Sequence, residues 1–153
     1  MATLISNKID IESYDLDDIF WDNSLNTFGI KADLKTRAIN LNKILLKSRW
    51  IIEGVYYAWL EESFAASDMI IVLKTNAYIR DWRIIKRFFK RKIGLVTCNK
   101  KETFKGLTEL IKWNHKYDRK NIIEAEKMIE KFNYKKIVLS SNREVYKFLE
   151  SLV

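Results

Sequence analysis

The 153-residue sequence contains no proline, only four glycines, one cysteine and one histidine. A single thiol, Cys98, excludes an internal disulfide framework and a cysteine-based metal site, and a reducing cytoplasm fits this usage. No uninterrupted apolar run approaches the roughly 20 residues that cross a bilayer, so no membrane partner is expected. The opening MATLISNKIDIES lacks a charged region followed by a long apolar stretch, which argues against a secretory leader. No Gly/Pro/Ser-rich hinge, repeat or low-complexity tract divides the sequence. One domain spanning 1–153 is expected, large enough to bury a core.

What is present is apolar and basic. Hydrophobic residues make up 48% of the chain, which opposes disorder, and the formal net charge is +8. A basic balance favours nucleotides, nucleic acids or acidic surfaces as partners. The charge concentrates at 80–92, where Arg80, Arg83, Lys86, Arg87, Lys90, Arg91 and Lys92 meet a single acid, Asp81. Ile79, Trp82, Ile85, Phe89 and Ile93 recur every three or four positions through the same stretch. This spacing predicts a helix with an apolar face in a core and a cationic face opposite.

Short apolar runs alternate with helical patterns along the chain. Strands are expected at 9–14, 50–52, 69–74 and 136–140. Helices are expected at 32–47, 60–66, 76–93, 102–114, 119–132 and 142–152, and residues 2–8 read as the end of a helix or a frayed terminus. Leu34, Ala38, Leu41, Ile44 and Leu45 form the expected inner stripe of the helix at 32–47, and Val145, Phe148, Leu149 and Leu152 that of the last helix, with Asn142 as its N-cap. Fully apolar strands alternating with helices predict an α/β fold with a parallel sheet. Ligands of such sheets sit at the carboxyl ends of the strands. Asp15 and Asp17, Glu53 and Gly54, Thr75 and Asn76, and Ser141 to Arg143 all fall there.

WIIEGVYYAWLEESFAASDMIIVLKT at 50–75, RDWRIIKRFFKRKIG at 80–94, YDLDDIFW at 14–21 and KKIVLSSNREVYKFLESL at 135–152 occur in this order. Together they resemble the adenylate-kinase-like P-loop NTPases of bacteria often labelled DNA topology modulation proteins. The likeness runs from about residue 11 to the C-terminus. It implies a three-layer α/β/α fold, a lid-like helical segment at about 76–132, ATP and Mg²⁺ as cofactors, and phosphoryl transfer to a small nucleoside- or nucleotide-type acceptor. One departure is large. The family opens on a strand and a G-x-x-x-x-G-K-[ST] loop whose backbone N–H groups cradle phosphates. None of Gly29, Gly54, Gly94 and Gly106 sits in such a loop. The resemblance thus implies a chain beginning inside the first helix, without the central strand of the sheet. The strands at 50–53 and 69–74 would then face a gap, and self-association is one way to close it.

The resemblance also distributes roles. Arg83 and Arg87 are the expected phosphate contacts, with Arg91 next to them on one helical face, because a guanidinium binds phosphate through two parallel hydrogen bonds. Asp17 is the expected acid facing the acceptor, placed to take a hydroxyl proton or to hold Mg²⁺ through water. Glu53, Gly54 and Tyr57 are expected to bind substrate, and Asn142 and Arg143 to meet the adenine ring. Plainer readings stand beside these: a solvated face for the arginines, a helix-entry turn for Asp15, Asp17 and Asp18, a core role for Tyr57, and an N-cap for Asn142. The tryptophans Trp21, Trp50, Trp59, Trp82 and Trp113 read as core residues. His115 has no acid or nucleophile at a telling spacing and reads as a surface residue, and Cys98 reads as inert. No His or Cys cluster has metal-ligand spacing. A second function is a non-enzymatic DNA-binding protein using the basic face at 80–101. A third is a member serving only protein–protein contacts.

Overall fold

The computed structural model describes residues 1–22, 30–95 and 103–152. Gly29, Cys98 and the basic residues Lys100 and Lys101 lie outside them. The elements run α1 (Ala2–Ile9), β1 (Ser13–Asp15), α2 (Leu16–Phe20), α3 (Leu34–Leu45), β2 (Ile51–Glu53), α4 (Glu61–Ala66), β3 (Ile70–Leu73), α5 (Ala77–Lys92), α6 (Phe104–Lys116), a π-helical turn (Tyr117–Asn121), α7 (Ile122–Ile129), a 3-10 turn (Glu130–Lys135), β4 (Lys136–Leu139) and α8 (Asn142–Glu150). The fold is α/β, mostly helical, with short parallel strands. No described helix is long and apolar enough to cross a membrane.

The strands form two separate parallel pairs, β1 with β2 and β3 with β4. In the first, Ser13, Tyr14 and Asp15 lie opposite Ile51, Ile52 and Glu53. In the second, Ile70 to Leu73 lie opposite Lys136 to Leu139. Each strand therefore has one neighbour and one open edge among the described residues. The chain divides into two compact units, Met1–Asp68 with Asn142–Val153, and Met69–Ser141.

In the first unit, Leu16, Ile19, Leu41, Ile44 and Leu60 form a buried cluster, with Tyr14, Leu45, Trp50, Ile52, Tyr56, Trp59 and Phe64 packed around it. Burial removes this apolar surface from water at about 25 cal/mol per Å². The helix α2 starts where Asp15 turns the chain out of β1, its carboxylate accepting the Asp17 N–H at 2.8 Å. Asp33 caps α3 in the same way through Thr36. Only the second half of α3 meets the core. Leu34 is 74% exposed and Ala38 is also exposed, because both sit in the turns next to the cap, before the helix reaches the cluster. The inner stripe of α8 is as expected, with Leu149 buried and Val145, Phe148 and Leu152 half-buried. Asn142 is the first residue of this helix.

In the second unit, β3 leads into α5, which packs on α6. Asn76 caps α5 and Thr103 caps α6. The expected core face of α5 requires correction. Trp82 is 65% exposed and Phe89 51%, and Ile79 and Ile93 are also exposed, whereas Phe88 is 3% exposed and buried. The reason is a rotation of the contact. The helix turns Phe88 and the half-buried Ile84 inward, with Phe88 packed against Phe104 at the start of α6, so the stripe one side over faces out.

Candidate functional site at the strand ends

The carboxyl ends of β1 and β2 bring Asp15 and Glu53 side by side in register. Asp17, in the first turn of α2, accepts a 2.6 Å hydrogen bond from the Tyr56 hydroxyl. The Tyr56 ring stacks on Phe20 at 4.0 Å, and the Arg37 guanidinium lies 4.4 Å from the Phe20 ring centroid. Burial, followed by the bond to Asp17, pushes the Tyr56 phenol far above its ordinary range, so it remains a donor. Burial also raises the Asp15 carboxyl, opposed by the Asp17 N–H it accepts and reinforced by the nearby charges of Asp17, Asp18 and Glu53. The Glu53 carboxylate accepts the Ala2 N–H at 3.3 Å and so sits at the positive N-terminal end of α1.

Gly54 follows at once, with φ +156°. A Cβ there would lie 2.6 Å from Leu16 Cβ. The close approach that needs glycine here is to the core residue Leu16. Tyr57 is half-buried, and the tyrosine joined to Asp17 is its neighbour Tyr56. Sequence reasoning passed over Tyr56 because two adjacent tyrosines give no signal for which one turns toward the acid. Asn142 and Arg143 are exposed at the start of α8.

The cations occupy the second unit. Arg83, Arg87 and Arg91 follow one another at four-residue spacing along α5, with Arg83 and Arg87 exposed and Arg91 half-buried. The guanidinium at the tip of β3 belongs to Arg80 instead. Its Nη1 donates to the Thr75 carbonyl and its Nε to Asn114 Oδ1, each at 2.6 Å, and its Nη2 pairs with Asp118. Asn114, 3% exposed, donates through Nδ2 to Asp81 Oδ1 at 2.6 Å and to the Ala77 carbonyl at 3.2 Å. The other oxygen of Asp81 lies 2.7 Å from His115 Nε2. His115, expected as a surface histidine with no acid at a telling spacing, is instead half-buried and paired with Asp81. Its acid is 34 positions away in sequence, across the α5–α6 contact, where local spacing carries no trace of it. Arg80, Asp81, Asn114, His115 and Asp118 form one buried-to-half-buried network that ties α5 to α6. The tryptophans divide: Trp50 and Trp59 pack on the core of the first unit, while Trp82 and Trp113 are exposed.

No protein-family model, curated protein or solved structure matches this chain. The site is thus defined by its own chemistry. Carboxylates and a phenol, the groups gathered at the strand ends, can accept and donate hydrogen bonds. No three acidic, histidine or cysteine side chains converge as metal ligands among the described residues. The sequence contains no glycine-rich Lys-Ser/Thr loop.

Proposed function

We propose that this chain is a nucleotide-binding protein of the adenylate-kinase-like class, carrying the acceptor side of the site and the basic helix. The observation that carries the reading is the strand pairing. The family's sheet places its first strand at the centre. Taking that strand away leaves two parallel pairs in chain order, first with second and third with fourth, each with one open edge. This chain has that pairing. The three-layer P-loop NTPase-like architecture is part of the same proposal.

In this reading Asp17 and Glu53 meet the hydroxyl groups of a nucleoside or nucleotide acceptor and Tyr56 fixes the Asp17 carboxylate, while Arg83 and Arg87 of the second unit keep the phosphate-binding role that the resemblance implies. Phosphoryl transfer from ATP belongs to a form that also carries the glycine-rich loop, and no turnover is expected from the 153 residues alone. The open edges of β2 and β3 make strand pairing between copies the expected route of self-association.

The test is a calorimetric titration of the chain with nucleosides and nucleoside monophosphates. Binding that weakens at least about tenfold in Asp17→Asn, about the worth of one charge-assisted hydrogen bond, supports the assignment. No binding by any of them overturns it. The DNA-binding alternative is favoured by the exposed cations Lys86, Arg87 and Lys90 on α5. It ranks second because the same surface exposes aliphatic side chains that contacts to a phosphate backbone leave unused.

A further inference from the structure

The proposed function leaves the exposed apolar arc of α5 unused. At about 100° per residue, Tyr78, Ile79, Trp82, Ile85, Phe89 and Ile93 share one arc of about 120°. All but the half-buried Ile85 are exposed. Lys90 borders this arc on one side and Lys92 on the other, Lys86 stands within it, and Arg87 lies beyond Lys90. The ammonium group of Lys92 reaches over the Phe104 ring, 3.9 Å from its centroid. Leu95, just past the helix end, is exposed as well.

Soluble surfaces rarely carry so continuous an apolar stripe without a partner. We propose that α5 docks in the plane of an anionic lipid surface, with its apolar arc at the acyl boundary and its lysines on acidic headgroups. Three features select this occupant. Apart from Lys86, apolar and cationic residues are segregated around the helix, the arrangement that partition into an interface rewards. Trp82 and Tyr78 are of the types that settle at the headgroup level. The lysines at the rim and within the arc have stems long enough to lie along apolar surface while their ammonium groups stay with phosphate and water. A nucleic acid would use the aromatic rings and the cations but would gain nothing from Ile79, Ile85 and Ile93. No described helix can cross a membrane, so this docking is peripheral.

Flotation of the full chain with vesicles tests the proposal. The chain is expected to float with phosphatidylcholine vesicles containing phosphatidylserine and not with phosphatidylcholine alone. The Trp82→Ser/Phe89→Ser double variant removes only exposed side chains, so circular dichroism should show it folded. It is expected to lose at least about tenfold in partitioning, in line with burial of apolar area as a driving force. Lys86→Glu/Lys90→Glu is expected to abolish the preference for phosphatidylserine. Absence of flotation overturns the proposal, as does flotation unchanged in the double variant. A concentration-dependent dimer that disappears in the double variant, without vesicle binding, gives the stripe to a second copy and also overturns it. So does single-stranded DNA binding lost in the same variant when vesicles are not bound.

Discussion

The two units of this chain are held by different physics. The first closes around a cluster of leucines and isoleucines and places its polar groups at the rim, where β1 and β2 end. The second joins its two long helices through a network of Arg80, Asp81, Asn114, His115 and Asp118, and leaves much of its large apolar surface outside. Apolar burial is tolerant of direction, because any close neighbour helps. A polar network is not, because each donor and acceptor removed from water must find its partner. The first unit should therefore respond to volume, and the second to hydrogen-bond identity.

The largest effect is expected at Leu16, 2% exposed at the centre of the first cluster. Leu16→Ala should cost about 3–4 kcal/mol by leaving a cavity, measured by urea unfolding. Gly54→Ala should cost about 3 kcal/mol, combining a disfavoured φ with overpacking against the same leucine. If Leu16→Ala and Gly54→Ala are combined, the losses should fall short of additive, because the smaller side chain makes room for the new methyl group.

Asn114→Ala should cost about 2–3 kcal/mol, since it strands Arg80 Nε and Asp81 Oδ1. Asn114→Leu restores volume without partners and should not recover the loss. Full recovery by leucine would remove the contrast between the units.

The smallest expected effect is at Asp15, whose carboxyl is raised chiefly by burial. An acid with a folded-state pKa above its unfolded value binds more protons when folded, so its contribution to stability falls as pH rises from the unfolded pKa through the folded one. Asp15→Asn keeps an oxygen for the Asp17 N–H and removes the charge. The variant should melt slightly above the original chain at pH 7, and the advantage should vanish at pH values below the ordinary carboxylate range.

Much of this division was legible in the sequence. The apolar runs gave β2, β3 and β4 to within one residue at either end, because short stretches such as Ile70–Leu73 have no competing helical period, whereas the strand expected at 9–14 begins only at Ser13, since Ile9 still belongs to α1. The long amphipathic patterns gave α3, α5, α6 and α8. The face of α5 was not legible. Ile79, Trp82, Phe89 and Ile93 satisfy the inward pattern as well as Ile84 and Phe88 do, and only the position of α6 chooses between them. Leu34 misled for a related reason, since periodicity marks a stripe without marking where the core beneath it stops. At the candidate site, the acids at the strand ends were visible from chain order. The Tyr56–Asp17 and His115–Asp81 bonds were not, because each joins residues more than 30 positions apart.

The central claim is that each parallel pair, β1 with β2 and β3 with β4, has an open edge that a further strand can pair with. Its most direct test is the melting temperature of the chain with and without a strand and glycine-rich phosphate loop joined ahead of Met1. Pairing of an open edge should raise the melting temperature by several degrees, since each buried backbone hydrogen bond contributes about 1 kcal/mol, and the joined loop should confer ATP binding. Identical melting temperatures with no ATP binding would contradict the account.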